Sequence, residues 1–170
     1  MDGSHFRQIL DSNPMNKRIG VNLKSYPDGI DCVWIAADRA GNLGVFITAG
    51  MGPIPSVALD FESKSIYEIE AEICLLPVSS TANLLVSVKR PDDYIDFAER
   101  GLFVYDWTDV TRTKRESLEL YEQVAMPSMP LKLDSLPSNI FSIAESVIFA
   151  EILFSGSRTL NVPAFFECVK

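Results

Sequence analysis

Asp31-Cys32-Val33-Trp34-Ile35-Ala36-Ala37, Asp38-Arg39-Ala40-Gly41-Asn42 and Leu43-Gly44-Val45-Phe46-Ile47-Thr48-Ala49 follow one another without interruption. Two apolar runs rich in β-branched and aromatic residues flank a short polar loop that contains a glycine. That pattern predicts a β-hairpin, with strands over Cys32–Ala37 and Leu43–Ala49. Gly50-Met51-Gly52-Pro53-Ile54-Pro55 ends the second strand, because the two prolines lack an N–H and the glycines admit a sharp turn. Gly50-Met51-Gly52 is not a phosphate loop: no Gly-Lys-Ser/Thr follows it.

Downstream, Ile66, Ile69, Ile73 and Leu76 are spaced three, four and three apart, which predicts one apolar face of a helix over 62–76, stopped by Pro77. Glu68 and Glu72 share a different, solvent-facing side of it. Residues 84–89 alternate and predict a strand. Pro91 opens a short helix with Asp92, Asp93 and Asp96 in its early turns, where the helix dipole favours negative charge, and Gly101 is placed to cap it. Strands are expected over Leu102–Trp107 and Val147–Phe154, and a helix over about Ser138–Glu145. Ser117–Val124 fits a strand or a helix, and Met126–Leu131, with two prolines, a loop. The fold class expected is α+β: one domain, a mainly antiparallel sheet with a few helices packed on it. A doubly wound parallel sheet is the alternative, and the opening hairpin disfavours it. The chain divides into a polar segment 1–30, a core 31–156 and a C-terminal tail 157–170.

A chain of 170 residues with 47% hydrophobic content can bury a core without a metal or disulfide staple. Cys32, Cys74 and Cys168 are odd in number and widely spaced, so they read as reduced thiols, Cys32 and Cys74 packing as small hydrophobes. The longest apolar stretch, Ile140–Phe154, is broken by Ser142, Glu145, Ser146 and Glu151 and falls short of the roughly 20 residues that span a bilayer. A cytoplasmic protein is expected. Its net charge of −8 disfavours nucleic acid and anionic membranes as partners and suits a basic protein.

Catalytic chemistry finds little to build on. The single histidine, His5, lies in the polar N-terminal segment, so no Ser-His-Asp, Cys-His or histidine-metal arrangement can be assembled without it. No calcium loop of the D-x-D-x-D-G kind occurs. The expectation is therefore no enzyme, no cofactor and no metal. Charge is unevenly spread: residues 57–110 carry eleven acidic side chains against four basic ones, with Tyr94, Phe97, Tyr105 and Trp107 among them. Aromatics beside carboxylates suit a surface that grips Arg and Lys of a partner. Aromatics turned inward with acids turned to water fit the same spacing. The candidate contacts are Glu68, Glu72, Asp92, Asp93, Asp96 and Glu99, with Tyr94 or Trp107 as anchors.

The hairpin residues 31–42, together with Val45–Pro55 and the later Leu131–Pro137, resemble small bacterial immunity proteins encoded beside polymorphic and contact-dependent toxin genes. The resemblance covers about a quarter of the chain and implies a cytosolic protein that binds and blocks a cognate toxin domain, with a nuclease as one such partner. The matching residues belong to the hairpin and turns, so no contact residue carries over. A self-associating structural or adaptor protein is the alternative.

Overall fold

The computed structural model describes residues 25–60, 64–108 and 119–169. His5 and most of the polar segment 1–30, and the first residues of the segments expected from 62 and 117, lie outside them. The hairpin is present as expected: Val33–Asp38 (β1) pairs antiparallel with Leu43–Ile47 (β2), Val33 opposite Ile47 and Ala37 opposite Leu43. Asp38 closes its loop. One carboxylate oxygen accepts from the N–H groups of Ala40 and Asn42, both at 2.9 Å, and the other from Asn42 Nδ2, also at 2.9 Å.

The chain continues through Ile54–Pro55 (β3), Ser56–Leu59 (α1), Ile66–Cys74 (α2), Ala82–Leu84 (β4) and Asp92–Glu99 (α3). Phe103–Trp107 (β5), Tyr121–Pro127 (β6), Ser138–Ser146 (α4) and Ile148–Phe149 (β7) follow. Thr159–Leu160 (β8) and Cys168–Val169 (β9) come last. The main sheet runs β4-β6-β5-β2-β1-β7, with β8 also on β6; β3 and β9 form a small second sheet. Pairing is antiparallel except for β2 with β5 and β1 with β7. This is a single α+β domain around a mixed, mostly antiparallel sheet.

Both faces of the sheet are covered, which is why β1 and β2 read as continuous apolar runs with no polar alternation. Val33, Ile35, Ala37, Leu43, Val45 and Val104 point to one side, under Ile69 and Ile73 of α2, Phe97 of α3 and Ile140 and Ile143 of α4. Trp34, Phe46, Phe103, Tyr105, Trp107 and Tyr121 point to the other, under Phe149, Phe154, Leu160 and Val162. The approach there is close: a Cβ on Gly44 would lie 2.8 Å from the Phe154 ring, so only glycine fits beneath it. Trp34 stacks on Phe46 with centroids 4.0 Å apart.

The polar atoms of this aromatic layer are internally paired. Trp34 Nε1 donates to Tyr121 Oη at 3.2 Å, and Tyr121 Oη donates to the Pro53 carbonyl at 3.1 Å. Gln123 Nε2 donates to Tyr105 Oη at 3.0 Å and to the Phe154 carbonyl at 2.8 Å, while Tyr105 Oη donates to the Ser157 carbonyl at 2.7 Å. Burial pushes both tyrosine hydroxyls well up, which keeps them protonated as donors.

Several expectations shift. The strand expected over 84–89 is instead Ala82–Leu84, and β6 continues to Pro127, so the loop begins later than 126. Pro127 is tolerated because the pairing with β5 ends at Ala125, so its missing N–H breaks no ladder bond on that side. Of Val147–Phe154 only Ile148–Phe149 pairs; Val147 and Phe154 are buried in the layer covering the sheet. The stretch 157–170, expected as a tail, supplies β8, β9 and the buried Leu160 and Val162. Cys32 is buried as expected, but Cys74 is exposed, because position 74 lies off the Ile66–Ile69–Ile73 stripe of α2. No helix among the described residues is long and apolar enough to cross a membrane.

Candidate partner-binding face

Helices α2 and α3 lie side by side on the sheet and bring most of the candidate carboxylates together. α2 begins at a capping box: the Ser65 N–H donates to Glu68 Oε2 at 2.7 Å, and the Ser65 side chain caps in return. Glu68 is exposed, yet it also holds the helix start. Glu72 pairs with Lys64 and accepts from Asn139 of α4, so it ties two helices together and is half-buried. Asp96 pairs with Arg100 at 3.0 Å, and Arg100 also donates to the Leu76 carbonyl. Asp92 and Asp93 stand exposed in the first turn of α3. Glu99 is half-buried at the other end of that helix, its carbonyl accepting from the N–H groups of Ser79 and Ser80 at 2.9 Å.

The aromatic anchors are placed differently from the carboxylates. Trp107 is 5% exposed and packs edge-on against Tyr121 in the aromatic layer, on the opposite side of the sheet from α2 and α3. It offers no surface to a partner. Tyr94 is half-buried, and its hydroxyl donates to Asp106. Phe97 and Tyr105 belong to the core. Tyr105 and Trp107 thus lie on the face opposite the carboxylates, while Tyr94 and Phe97 of α3 lie on the same side as the carboxylates.

Sequence reasoning passed over the exposed apolar groups of the same face. Ile66, Ile69 and Ile73 fill one side of α2. At 3.6 residues per turn, Tyr67, Ala71 and the C-cap Leu75 fall together on another. Leu75 is 79% and Tyr67 55% exposed. The i, i+4, i+8 spacing was legible, but the stronger stripe beside it drew the helix reading. Cys74 lies between this stripe and α3, its Sγ 3.9 Å from Asp96. Glu70, Asp93 and Asp96 therefore flank the stripe on the α3 side, and Glu68 and Glu72 on the other.

Between β1, α2 and α3 opens a cavity of about 160 Å3, lined by Asp31, Glu70 and Asp93 over Cys32, Val33, Ile47 and Phe97. Three carboxylates from three separate parts of the chain share it. Burial, then the neighbouring Asp93 and Asp31, raise the Glu70 carboxyl above its ordinary value. Burial raises the Cys32 thiol, and Asp31 and Glu70 add to the effect against a hydrogen bond from Thr48. Burial, followed by Cys32, Asp28 and Asp31, pushes the nearby Tyr26 hydroxyl up to about 12. Among the described residues no group of three or more His, Cys, Asp or Glu side chains is arranged to hold a metal ion.

A measurable consequence concerns Glu70. Its folded value lies above the unfolded one, about 4.3, so it favours the fold fully only below that pH and opposes it as pH rises through the folded value. Glu70→Gln is expected to be more stable than wild type at pH 7. The difference should close as pH falls below the ordinary carboxylate range, as read by urea unfolding across pH 3–7.

No family model, no curated protein and no solved structure matches this chain.

Proposed function

We propose that this is a non-catalytic binding protein whose α2–α3 face grips a basic protein, and that the partner is a bacterial toxin domain which it neutralises in the cytoplasm of the producing cell. One observation carries the reading. Asp31, from the segment before β1, Glu70 of α2 and Asp93 of α3 line one cavity, although burial first, and then the charges of Asp93 and Asp31, raise the Glu70 carboxyl. Such crowding is relieved when a cationic group arrives, so it favours an Arg- or Lys-bearing ligand. Flanking carboxylates extend the same sign of charge along both helices, which steers a basic partner and repels an acidic one. A nuclease fits this description, since the face with which it holds phosphate must be positive. The likeness of residues 31–55 to immunity proteins points to the same class of partner.

Co-expression with the toxin-like domain encoded beside it tests the proposal. A one-to-one complex and restored growth are expected. Undiminished toxicity with no complex would remove the immunity reading and leave self-association to be tested by light scattering.

A further inference from the structure

Resting on that reading, we infer that the partner docks an amphipathic α-helix along α2, with an apolar edge seated on Tyr67, Ala71 and Leu75 and Lys or Arg side chains on either flank. Helix α2 uses Ile66, Ile69 and Ile73 to hold the sheet, so its apolar content on the outer side is surplus to folding. Tyr67 and Leu75 are among the exposed large hydrophobic side chains, and they share one edge of the helix with Ala71 between them. From Tyr67 to Leu75 the edge runs about 12 Å, two helical turns, at 1.5 Å per residue. That is the footprint of a helix laid in register, with anchors at i, i+4 and i+7 or i+8.

Charge selects the occupant. Glu70, Asp93 and Asp96 border the stripe on one side and Glu68 and Glu72 on the other, and of these Glu72 and Asp96 already have cationic partners in Lys64 and Arg100. Glu68, Glu70 and Asp93 remain to meet incoming cations. A second copy of this chain would set the same carboxylates against one another, which is costly at an interface. A neutral apolar helix would leave them facing it without a counter-charge. A helix with a narrow apolar edge and basic flanks meets both requirements. Its cationic side chains on the α3 side lie beside the cavity of Asp31, Glu70 and Asp93.

The probe is a synthetic peptide of about 18 residues with leucines on one helical edge and lysines and arginines elsewhere. A second peptide of the same composition has its leucines scattered around the helix. Binding to the full chain is read by fluorescence anisotropy, with amide chemical shifts locating the site. The patterned peptide is expected to bind at least about tenfold more tightly than the scattered one and to shift α2 signals. The paired change Tyr67→Ala, Leu75→Ala is expected to remove about tenfold or more of that affinity. Both side chains are exposed, so the melting temperature should hold and shows that the variant is folded. Equal binding of the two peptides would overturn the inference while leaving the acidic face intact, since that face is tested separately by charge reversal in the toxin complex. A dimer in light scattering that Tyr67→Ala dissolves would also overturn it, in favour of a second copy as occupant.

Discussion

Replacing Asp38 by alanine is expected to lower the free energy of unfolding by about 3–5 kcal/mol. The side chain is 1% exposed and accepts four N–H groups. Those from Ala40 and Asn42 and the Asn42 amide close the β1–β2 turn. The fourth comes from the Phe154 backbone at 3.0 Å, on the segment that covers the aromatic face. One carboxylate thus joins the first hairpin to the C-terminal layer. Alanine would leave these donors buried without an acceptor, at about 1–3 kcal/mol for each that cannot reach water. Asparagine does not rescue the site, because its own NH2 would face N–H groups. For a domain whose total stability is about 5–15 kcal/mol the loss approaches unfolding. With a urea slope near 2 kcal/mol per molar, the midpoint should fall by roughly 2 M. A shift below about 0.5 M would mean that the Asp38 hydrogen bonds are replaced by water.

Reversing charge at the start of α3 should have the largest effect on binding. The double change Asp92→Lys, Asp93→Lys is expected to slow association with the basic partner by about 10–100-fold at low ionic strength. The gap should narrow sharply near 0.5 M salt, where screening shortens the reach of charge. Both side chains are exposed in the first helical turn, so stability should fall by only about 1 kcal/mol through the helix dipole. Asp96→Lys is a poor substitute, because it also breaks the pair with Arg100. Stopped-flow fluorescence reads the rates. An unchanged association rate at low salt would take α3 out of the interface.

Much of the architecture was legible where periodicity and turn chemistry agree. The β1–β2 hairpin, the 3-4-3 spacing of α2, and the Pro91 start and Gly101 end of α3 are each specified by local residues; Gly101 adopts φ +90, as its capping place requires. Where an apolar run covers the sheet without pairing in it, sequence could not tell the difference. Val147–Phe154 has the composition of a core strand, yet only two of its residues pair with β1. Of the remainder, Phe154 is buried by packing on Phe46 and Tyr105 from outside the sheet, while Ala150 and Glu151 stay exposed. Tail residues such as Leu160 and Val162 are too sparse to announce a layer, and only the aromatic face of the sheet, which they help to cover, demands them.

The site was legible in part. Acidic crowding along 57–110 is a fact of sequence, and α2 and α3 do bring Glu70 and Asp93 to one cavity. Asp31 could not be foreseen there, because its place depends on how the segment leading into β1 meets the two helices. Trp107 follows from period two: Phe103, Tyr105 and Trp107 alternate with Val104 and Asp106, so they share a face, and that face proved to be the aromatic core. Tyr67, by contrast, lies outside the apolar stripe that reveals α2; its spacing with Ala71 and Leu75 was legible, but its 55% exposure shows only in the fold.

In the proposed function the partner sits on the α2–α3 face. Hydrogen exchange of the full chain, free and in complex with the proposed basic partner, tests this most directly. Slowed exchange confined to residues 66–76 and 92–100, with 152–165 unchanged, is the expected result. Protection at 152–165 with none along α2 and α3 would contradict it and place the partner on the opposite side of the sheet.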